Sequence, residues 1–369
     1  MEMLFAASSR KDRLRVLITG HTGFKGSWLT LLLEHLGHDV FGLSLSPIED
    51  SLYDRIENWQ HDSHIGDIRD QEFVADVVRR VQPDIVFHFA AQALVLESIQ
   101  EPVETFQTNV LGTANLLEAC RKTPSVKSIL VSTTDKVYLN QNMRLRFSET
   151  DSLGGKDPYS ASKVSQEQVI NAWRFLSRIE NGPRILTARA GNVIGGGDLA
   201  QNRLIPDVIR GWENKQPVII RNPASTRPWQ HVIDPLIGYC LYVDNSLKGD
   251  VETALNFGPQ GNSETVVNVL KEFRRHWPSE IEIAVVEADS NLEAKSLELN
   301  STRAEQELGW YPTLTQLEAV AATATWWKKV LIEQASARDT SLVDIRTALA
   351  KSRFPKESTP NNEGPHGQE

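Results

Sequence analysis

Short apolar runs alternate with amphipathic segments along the first half of the chain. The segment SWLTLLLEHLG (27–37) repeats leucine at helical spacing, with Leu29, Leu32, Leu33 and Leu36 on one face. Apolar runs that are short, rich in Val and Ile, and closed by small or polar residues are typical of buried strands. Such runs are RVLITG (15–20), DVFGLSLS (39–46), SHIGDI (63–68), DIVFHFAA (84–91), KSILVSTT (127–134) and RILTARA (184–190). Strands separated by helices predict βαβ units, and therefore an α/β fold with a doubly wound parallel sheet.

The rhythm changes after about residue 190, where Gly, Pro, Asn and Trp become frequent and turn signals crowd together. This change predicts a smaller, mixed α/β substrate domain over 191–350, after a nucleotide-binding domain over 1–190. A later part, about 229–260, is expected to return to the first domain, with ALNFGP (254–259) as an added strand. The tail 353–369 is rich in Pro, Asn, Gly and Glu, and we expect it to be disordered.

Composition narrows the class of protein. The chain has 369 residues, of which 40% are hydrophobic and 24% charged, as is ordinary for a globular enzyme. Its net charge of -9 argues against a nucleic-acid partner, because phosphate neutralisation needs a basic surface. No apolar run approaches the roughly 20 residues of a membrane helix, and the N-terminal segment is unlike a signal peptide. The sequence therefore predicts a cytoplasmic protein with no membrane partner and no metal site, since no His, Cys and Asp cluster has ligand spacing.

Three glycines, Gly20, Gly23 and Gly26, follow the first predicted strand and open the next helix. In a Rossmann-type fold such glycines allow a tight turn, a close approach of the backbone to a pyrophosphate, and close packing of helix on strand. The acidic residue that usually selects NAD at the end of the second strand is absent, and Ser44 stands there instead. A serine can hydrogen-bond a ribose hydroxyl but does not repel a phosphate, so this motif leaves NAD and NADP open. Asp67, after the third strand, is either a contact to adenine or a cap of the strand end.

The segment DPYSASK (157–163) begins like a helix, with Asp157 as the N-cap and proline at the first helical position. Tyr159 and Lys163 then lie four residues apart on one face. A lysine ammonium near a tyrosine stabilises the phenolate and lowers the tyrosine pKa from its model value of about 10. The pair is therefore predicted to supply a base that takes a hydroxyl proton while hydride leaves the adjacent carbon.

Several segments together resemble the extended short-chain dehydrogenase/reductase family. The resemblance covers about residues 12–330. The segments that carry it are the glycine loop, FHFAAQA (87–93), TNVLGT (108–113), STTDKVY (132–138) and YSASK (159–163). Within that family, GHTGFKGSWL, TTDKVY and STRPWQHVIDP are similar to the CDP-glucose 4,6-dehydratases.

This resemblance implies a reaction, a cofactor and partners. The implied reaction oxidises CDP-glucose at C4 with NAD, removes water across C5 and C6, and returns the hydride to C6 to give CDP-4-keto-6-deoxyglucose. Thr134 would hydrogen-bond the sugar 4-hydroxyl, Tyr159 would be the oxidation base, and Lys163 would tune Tyr159 and hold the nicotinamide ribose. A homo-oligomer and a part in deoxysugar and O-antigen biosynthesis are further expectations.

The resemblance also implies two sets of binding residues. The residues expected to bind NAD are Gly20, Thr22, Gly23, Phe24, Lys25, Gly26, Ser44, Asp67, Ile68, Ala90, Ala91, Asn109, Tyr159 and Lys163. On the substrate side, Asn192 resembles a family contact to phosphate, Arg227 and Arg303 resemble the family arginines on the diphosphate, and Arg203 is expected beside them. Two arginine forks match a diphosphate geometrically, although either of Arg227 and Arg303 could instead form a surface ion pair.

One pair departs from the more common pattern of nucleotide-sugar dehydratases. Deoxythymidine-sugar and GDP-mannose dehydratases have an acidic pair after the threonine, whereas here Asp135 is followed by Lys136. We expect this pair to carry the elimination, with Asp135 as the acid for the 6-hydroxyl and Lys136 as the base for the C5 proton. A lysine base must be deprotonated, which burial or cationic neighbours would favour. The alternative is that Lys136 only pairs with Asp135.

Three other functions stay open at this point. They are a nucleotide-sugar 4-epimerase, a GDP- or UDP-linked dehydratase, and a non-catalytic dinucleotide sensor on the same fold. The intact set of Thr134, Tyr159 and Lys163 argues against a sensor, because a sensor needs no proton relay.

Overall fold

The computed structural model describes residues 13–140, 146–220, 222–278, 281–285 and 297–352. The tail 353–369, which the sequence predicts to be disordered, lies outside the described residues. Within the described ranges, no helix has both the length and the hydrophobicity that a membrane crossing requires.

Seven parallel strands form the central sheet, and shorter strands lie mainly in the second half of the chain. In chain order the strands are β1 (Arg15–Thr19), β2 (Asp39–Ser44), β3 (Asp62–Ile65), β4 (Ile85–His88), β5 (Ser128–Ser132), β6 (Arg146–Phe147), β7 (Arg184–Ala190), β8 (Val193–Ile194), β9 (Val218–Ile220), β10 (Thr226–Arg227), β11 (Gln230–His231), β12 (Ala254–Phe257), β13 (Glu264–Thr265), β14 (Ile283–Val285) and β15 (Glu298–Leu299). The central sheet has the order β12-β7-β5-β4-β1-β2-β3. Each of its strands overlaps an apolar run that the sequence predicts, so the Rossmann-type doubly wound sheet is confirmed.

Helices cover both faces of this sheet. They are α1 (Phe24–His35), α2 (Gln71–Val81), α3 (Val95–Gln100), α4 (Pro102–Phe106), α5 (Gly112–Arg121), α6 (Pro158–Glu180), α7 (Leu204–Asn214), α8 (Ile233–Lys248), α9 (Val266–Arg275), α10 (Thr302–Leu308), α11 (Gln316–Leu331) and α12 (Ala337–Lys351). A π-helical turn, Gln107–Leu111, joins α4 to α5, and a short 3₁₀ turn, Asp135–Val137, follows β5.

Two apolar cores form because side chains along a buried strand alternate between the faces of the sheet. In β1, Val16 and Ile18 join the core under α1 and α8, whereas Leu17 joins the core under α2 and α5. In β4, Phe87 and Val86 divide in the same way. Continuous apolar strands are therefore needed at the centre, as the predicted runs show.

The chain returns to the sheet after its excursion into the smaller strands. β12 pairs in parallel with β7 at the sheet edge, and α8 packs against β5 and β7. The last helix, α12, packs against α1 and α8, and Arg338 on α12 donates to Glu34 on α1 at 2.7 Å. α12 also packs against α11. The division into a nucleotide-binding domain over 1–190 and a substrate domain over 191–350 stays a prediction.

Candidate active site

The glycine loop lies at the carboxyl end of β1, next to β4, where the order of the strands reverses. Gly20 has φ +76°, and a Cβ there would lie 2.7 Å from the backbone nitrogen of Ala90. A Cβ on Gly26 would lie 2.1 Å from the carbonyl oxygen of Gly20. Gly23 is the N-cap of α1 and offers no side chain to the first turn. The loop therefore leaves backbone N–H groups of the helix start available to an anion.

The side chains predicted to contact the adenosine half of the cofactor are held in place by short hydrogen bonds to nearby residues. The Thr22 and Ser44 hydroxyls lie 2.7 Å apart, which ties the loop to the end of β2. Asp67 accepts from the backbone nitrogen of Arg69 at 2.8 Å and from its guanidinium, while Asp70 caps α2. Ile68 is buried in the core beneath α5. The adenine contact of Asp67 and Ile68 stays a prediction.

The loop that carries Ala90 and Ala91 is fixed from behind by Asn109. Asn109 lies in the π-helical turn and is fully buried. Its Oδ1 accepts from the Gln92 backbone nitrogen at 2.9 Å, and its Nδ2 donates to Ser162 Oγ at 2.9 Å. Asn109 therefore connects the cofactor loop to α6, and such π turns are common at functional sites.

The turn after β5 brings together three of the predicted catalytic side chains. Thr134 Oγ1 donates to Asp135 Oδ1 at 3.0 Å, and Lys136 Nζ lies 3.4 Å from the same oxygen. Thr134 is also within hydrogen-bonding reach of the Tyr159 hydroxyl. The side chain of Asp135 is 3% exposed and that of Lys136 37%, so the carboxylate is buried and part of the lysine side chain reaches the surface. The structure therefore assembles the proposed oxidation and elimination groups in one place.

Tyr159 sits in the first turn of α6, where Asp157 caps the helix as predicted. Its pKa is raised, because burial disfavours the phenolate more than the positive charge of Lys136 and the hydrogen bond from Thr134 favour it. The sequence expectation of a lowered pKa is therefore wrong for the protein alone. Among the positively charged side chains, Lys136 is the one that acts most strongly on the Tyr159 hydroxyl.

Lys163 is buried against the sheet. Its Nζ donates to the Ser132 carbonyl at 3.3 Å and to Gln166 Oε1 at 3.0 Å. Burial and the nearby charge of Lys25 lower its pKa to about 7. Lys25 itself has a pKa lowered to about 8 by burial and by Arg203. Two lysines of the pocket are therefore held partly neutral around neutral pH.

Lys136 behaves in the opposite way. Burial alone would lower its pKa, but the negative charges of Asp135 and of ionised Tyr159 raise it above the ordinary value. The expectation that its surroundings make Lys136 a neutral base is therefore wrong in this structure. The side chain is an ammonium facing a carboxylate.

The predicted substrate residues differ in their positions. Arg203, at the start of α7, and Arg227, on β10, both lie close enough to act electrostatically on Lys136. Arg303 instead lies 3.2 Å from Glu252 and 3.7 Å from Glu149. Asn192 is half-buried between β7 and β8. Arg203 and Arg227 therefore lie near the catalytic turn, although Arg203 also lies 3.5 Å from Asp198, and Arg303 is held in its own two ion pairs.

Two buried residues beside the site were not found from the sequence. Glu167 on α6 and Arg189 on β7 form an ion pair with Nε to Oε1 at 2.9 Å. The available signal was a charged residue inside the apolar run RILTARA and a glutamate four residues after Lys163. Both imply a buried pair rather than a solvated face.

Comparison with known proteins gives a family. The family model described as GDP-mannose 4,6 dehydratase matches residues 17–323. The CDP-glucose 4,6-dehydratase of Salmonella typhimurium (strain LT2) is 41% identical over 327 residues, which cover 85% of this chain and 90% of that protein. The dTDP-glucose 4,6-dehydratase of Xanthomonas campestris pv. campestris is 30% identical, with 84% and 92% covered.

Solved structures share the architecture. The crystal structure of UDP-glucose-4-epimerase from Stenotrophomonas maltophila matches with a TM-score of 0.77 at 23% identity, and covers 88% of this chain and 100% of that one. The crystal structure of dTDP-glucose 4,6-dehydratase from Bacillus anthracis matches with a TM-score of 0.71 at 23% identity, with 85% and 96% covered. At this identity the likeness shows the fold alone.

Proposed function

The chain belongs to the GDP-mannose 4,6 dehydratase family of extended short-chain dehydrogenase/reductases, and on that premise we propose that it is an NAD-dependent hydro-lyase that converts CDP-glucose to CDP-4-keto-6-deoxyglucose. The observation that carries the reaction is the Asp135–Lys136 pair, which follows Thr134 in the turn after β5 and acts on Tyr159 of α6. The relative from Salmonella typhimurium, at 41% identity, supports the cytidine nucleotide.

The residues present fit NAD. The glycine loop has no room for side chains at Gly20 and Gly26, and the start of α1 offers N–H groups to a pyrophosphate. Ser44, at the end of β2, is hydrogen-bonded to Thr22 of the glycine loop, and its hydroxyl would bind the ribose that lies at this strand end in Rossmann folds. When bound, NAD supplies the acceptor for the C4 hydride and returns that hydride at C6. Lys163, whose Nζ is held by Ser132 and Gln166, would hold the nicotinamide ribose.

Oxidation at C4 needs a base at the 4-hydroxyl. Thr134 and Tyr159 lie within hydrogen-bonding reach of each other, so one sugar hydroxyl can contact both. Tyr159 takes the proton as a phenolate and becomes a phenol, and the ammonium of Lys136 stabilises that phenolate before the transfer. The burial that raises the Tyr159 pKa also makes that ammonium act through a low dielectric.

Elimination needs a group that takes the C5 proton and a group that protonates the leaving 6-hydroxyl. Asp135 Oδ1 accepts hydrogen bonds from Thr134 and Lys136, as a carboxylate does, and Lys136 is an ammonium. The charge states therefore favour Asp135 as the base and Lys136 as the acid, which reverses the roles that the sequence suggested. The 4-keto group acidifies the C5 hydrogen, so a carboxylate suffices.

The diphosphate would be held by Arg203 and Arg227, which already lie near the catalytic turn. Arg303 would join them only by exchanging its ion pairs with Glu149 and Glu252 for the ligand. Asn192 would contact a phosphate oxygen from the loop between β7 and β8. Guanidinium forks suit such oxygens because they donate two parallel hydrogen bonds.

A homo-oligomer is supported by an apolar face on the helical layer. The helices α4 and α6 pack against each other, and both expose large apolar side chains. These are Val103 and Phe106 on α4 and Phe175 and Ile179 on α6. Apolar side chains so exposed are typical of a surface covered by a second copy.

We propose a cytoplasmic setting from the state of the cysteines. The thiols of Cys120 and Cys240 are free and buried, which fits a reducing compartment such as the cytoplasm. A part in deoxysugar and O-antigen biosynthesis is proposed from the resemblance to CDP-glucose 4,6-dehydratases.

The test uses the purified protein and a panel of nucleoside-diphosphate glucoses. A keto sugar should form fastest from CDP-glucose, and deuterium placed at C4 should reappear at C6 of the product. Return of the label only to C4 would identify an epimerase instead. Faster turnover of dTDP-, UDP- or GDP-linked sugar would overturn the cytidine assignment, and faster turnover with NADP than with NAD would overturn the cofactor.

A further inference from the structure

A buried ion pair lies behind the catalytic turn, outside the groups that touch substrate. The side chains of Arg189 and Glu167 are only 6% and 2% exposed. Arg189 donates to both carboxylate oxygens of Glu167, with Nε to Oε1 and NH2 to Oε2 each at 2.9 Å. This geometry is bidentate and fixes the guanidinium plane relative to α6.

Both ends of the catalytic turn are attached to this pair. Thr133, just before the turn, donates its hydroxyl to Glu167 Oε1 at 2.8 Å. Tyr138, just after the turn, receives a hydrogen bond from Arg189 NH1 at 3.0 Å. The segment between these two residues carries Thr134, Asp135 and Lys136.

Tyr138 is also held from its other side. Its hydroxyl donates to Asn256 Oδ1 at 2.7 Å, and its ring stacks on Phe147 with centroids 5.1 Å apart. The Arg189 guanidinium carbon lies 5.2 Å from the centre of the same ring. Asn256 in turn donates to the Asn300 carbonyl at 3.2 Å. Tyr138 therefore has little freedom to move.

Glu167 of this pair lies on the same face of α6 as the oxidation groups. Tyr159, Lys163 and Glu167 follow one another at intervals of four residues on α6, so they share a face. A single ion pair thus sets the position of the catalytic turn relative to Tyr159 and Lys163. A fully satisfied buried network of this kind is rigid, since every displaced partner would leave an unpaired polar group.

We propose that Glu167 and Arg189 are positioning residues that hold the oxidation groups and the elimination groups in the correct relative positions. Thr133 anchors the oxidation end of the turn, and Tyr138 anchors the elimination end. This inference rests on the proposed function. Thr133 adjoins Thr134, which contacts the 4-hydroxyl, whereas Tyr138 follows Asp135 and Lys136 by two to three residues. Loss of each anchor should therefore slow a different step.

The test compares two variants that each remove one hydroxyl. In Tyr138→Phe, keto-sugar formation should fall about 10- to 100-fold, the range expected for a displaced catalytic group. Reduction of the bound nicotinamide on mixing with CDP-glucose should stay near the wild-type rate, so reduced cofactor should accumulate. In Thr133→Val the reduction step itself should slow by a similar factor. Glu167→Gln, which keeps the shape and removes the charge, should slow both steps.

Matched controls remove buried hydroxyls elsewhere. Thr323→Val on α11 removes a bond to the Ala319 carbonyl, and Tyr242→Phe on α8 removes a bond to the Glu252 carbonyl. Both controls should lose some thermal stability without a change in either step. If Tyr138→Phe and Thr133→Val behave like these controls, the network only stabilises the fold and the proposal is wrong.

A second measurement does not need turnover. Hydrogen exchange of the Val137 and Tyr138 amides, which close the turn onto Thr134 and Asp135, should be faster in both anchor variants and unchanged in Tyr242→Phe. Unchanged exchange in the anchor variants would overturn the proposal even if turnover fell. A wild-type protein that makes no keto sugar would overturn the proposed function, while the exchange comparison would still decide whether the anchors hold the turn.

Discussion

Two lysines of this site carry opposite pKa shifts, and the charges that face each ammonium explain the difference. Lys163 is buried near another lysine, Lys25, and its pKa falls to about 7. Lys136 is next to Asp135 and Tyr159, and its pKa rises although burial acts against it. At neutral pH Lys136 can donate a proton, whereas Lys163 is divided between its charged and neutral forms.

The assignment of Asp135 as the C5 base can be separated from oxidation by solvent exchange. In deuterated water Lys136→Met should oxidise CDP-glucose more slowly than the wild type, because the Tyr159 phenolate loses a stabilising ammonium. It should form little product and should return CDP-glucose with deuterium at C5, because Asp135 still takes that proton. Asp135→Asn should oxidise the sugar without exchange at C5. Tyr159→Phe should show neither process, with turnover lower by about 10² to 10⁴-fold.

The opposite pattern in this experiment would restore the lysine base. If Asp135→Asn exchanged at C5 and Lys136→Met did not, Lys136 would be the group that removes the proton. Mass spectrometry of recovered CDP-glucose reads the exchange, and the absorbance of reduced nicotinamide reads the oxidation.

At the scale of elements, the central strands were predictable because their residues are buried on both faces. Short apolar runs such as KSILVSTT and DIVFHFAA are too short for a typical helix and end in small or polar residues, which favours strands. The Asp157 cap and the proline after it predicted the start of α6, and the structure begins the helix there. The short strands β8 to β11 were not predictable, since two- or three-residue pairings depend on partners distant in the chain.

The site was predictable in its members but not in its electrostatics. The spacing of Tyr159 and Lys163 predicts that they share a helix face. The shift in the Tyr159 pKa depends on burial and on the charge of Lys136, and neither effect can be deduced from residue spacing. The Glu167–Arg189 pair was not predicted for the same reason, because its contacts join β7, α6 and the residue that follows β5. Sequence patterns reveal residues that recur at regular spacing, whereas these contacts join residues of separate elements at no regular spacing.

The packing of α1 against β1 gives a prediction about Gly26. In Gly26→Ala the new Cβ would lie 2.1 Å from the Gly20 carbonyl oxygen and 2.7 Å from the His21 Cα, and neither backbone atom can move without opening the loop. We expect a loss of about 1–3 kcal/mol in the free energy of unfolding and a loss of NAD binding. Calorimetry of unfolding and of NAD binding measures both.

Gly249→Ala is the matched control. A Cβ at Gly249 would meet nothing within 4 Å, and its φ of -177° is extended. This variant should match the wild type in both measurements. A Gly26→Ala protein of normal stability and NAD affinity would show that α1 can shift away from β1.

At the scale of the whole molecule, a buried carboxyl couples stability to pH. Asp234 lies in the first turn of α8, where Thr313 donates to its Oδ1 from both backbone and side chain, and burial raises its pKa from 3.8 to about 6. The folded protein therefore holds this proton more tightly than the unfolded chain does. The free energy of unfolding should fall as pH rises from about 3.8 to about 6, by about 3 kcal/mol from this group.

Asp234→Asn should remove that part of the pH dependence and keep the shape. Denaturant unfolding between the two pH values measures the slope for each protein, and Asp39→Asn on the exposed start of β2 serves as the control. Asp344, whose pKa burial raises to about 7, contributes a slope of the same sign in both proteins. An unchanged slope in Asp234→Asn would mean that the Asp234 carboxyl titrates alike in the folded and unfolded states.

The apolar face of α4 and α6 decides whether the proposed assembly is correct. Val103 is 69% exposed and Phe175 65% exposed, and covering such side chains with a second copy would remove that area from water. Val103→Glu combined with Phe175→Glu would place charges in the contact, where they would be desolvated without a partner. Sedimentation of the wild type should give an oligomer, and the double variant should give a monomer that still binds NAD. Val285→Glu, at a side chain that is 62% exposed on β14, should leave the oligomer intact. A wild type that sediments as a monomer, or a double variant that stays assembled, would show that this face is not the contact, and the exposed side chains of α4 and α6 would then need another partner.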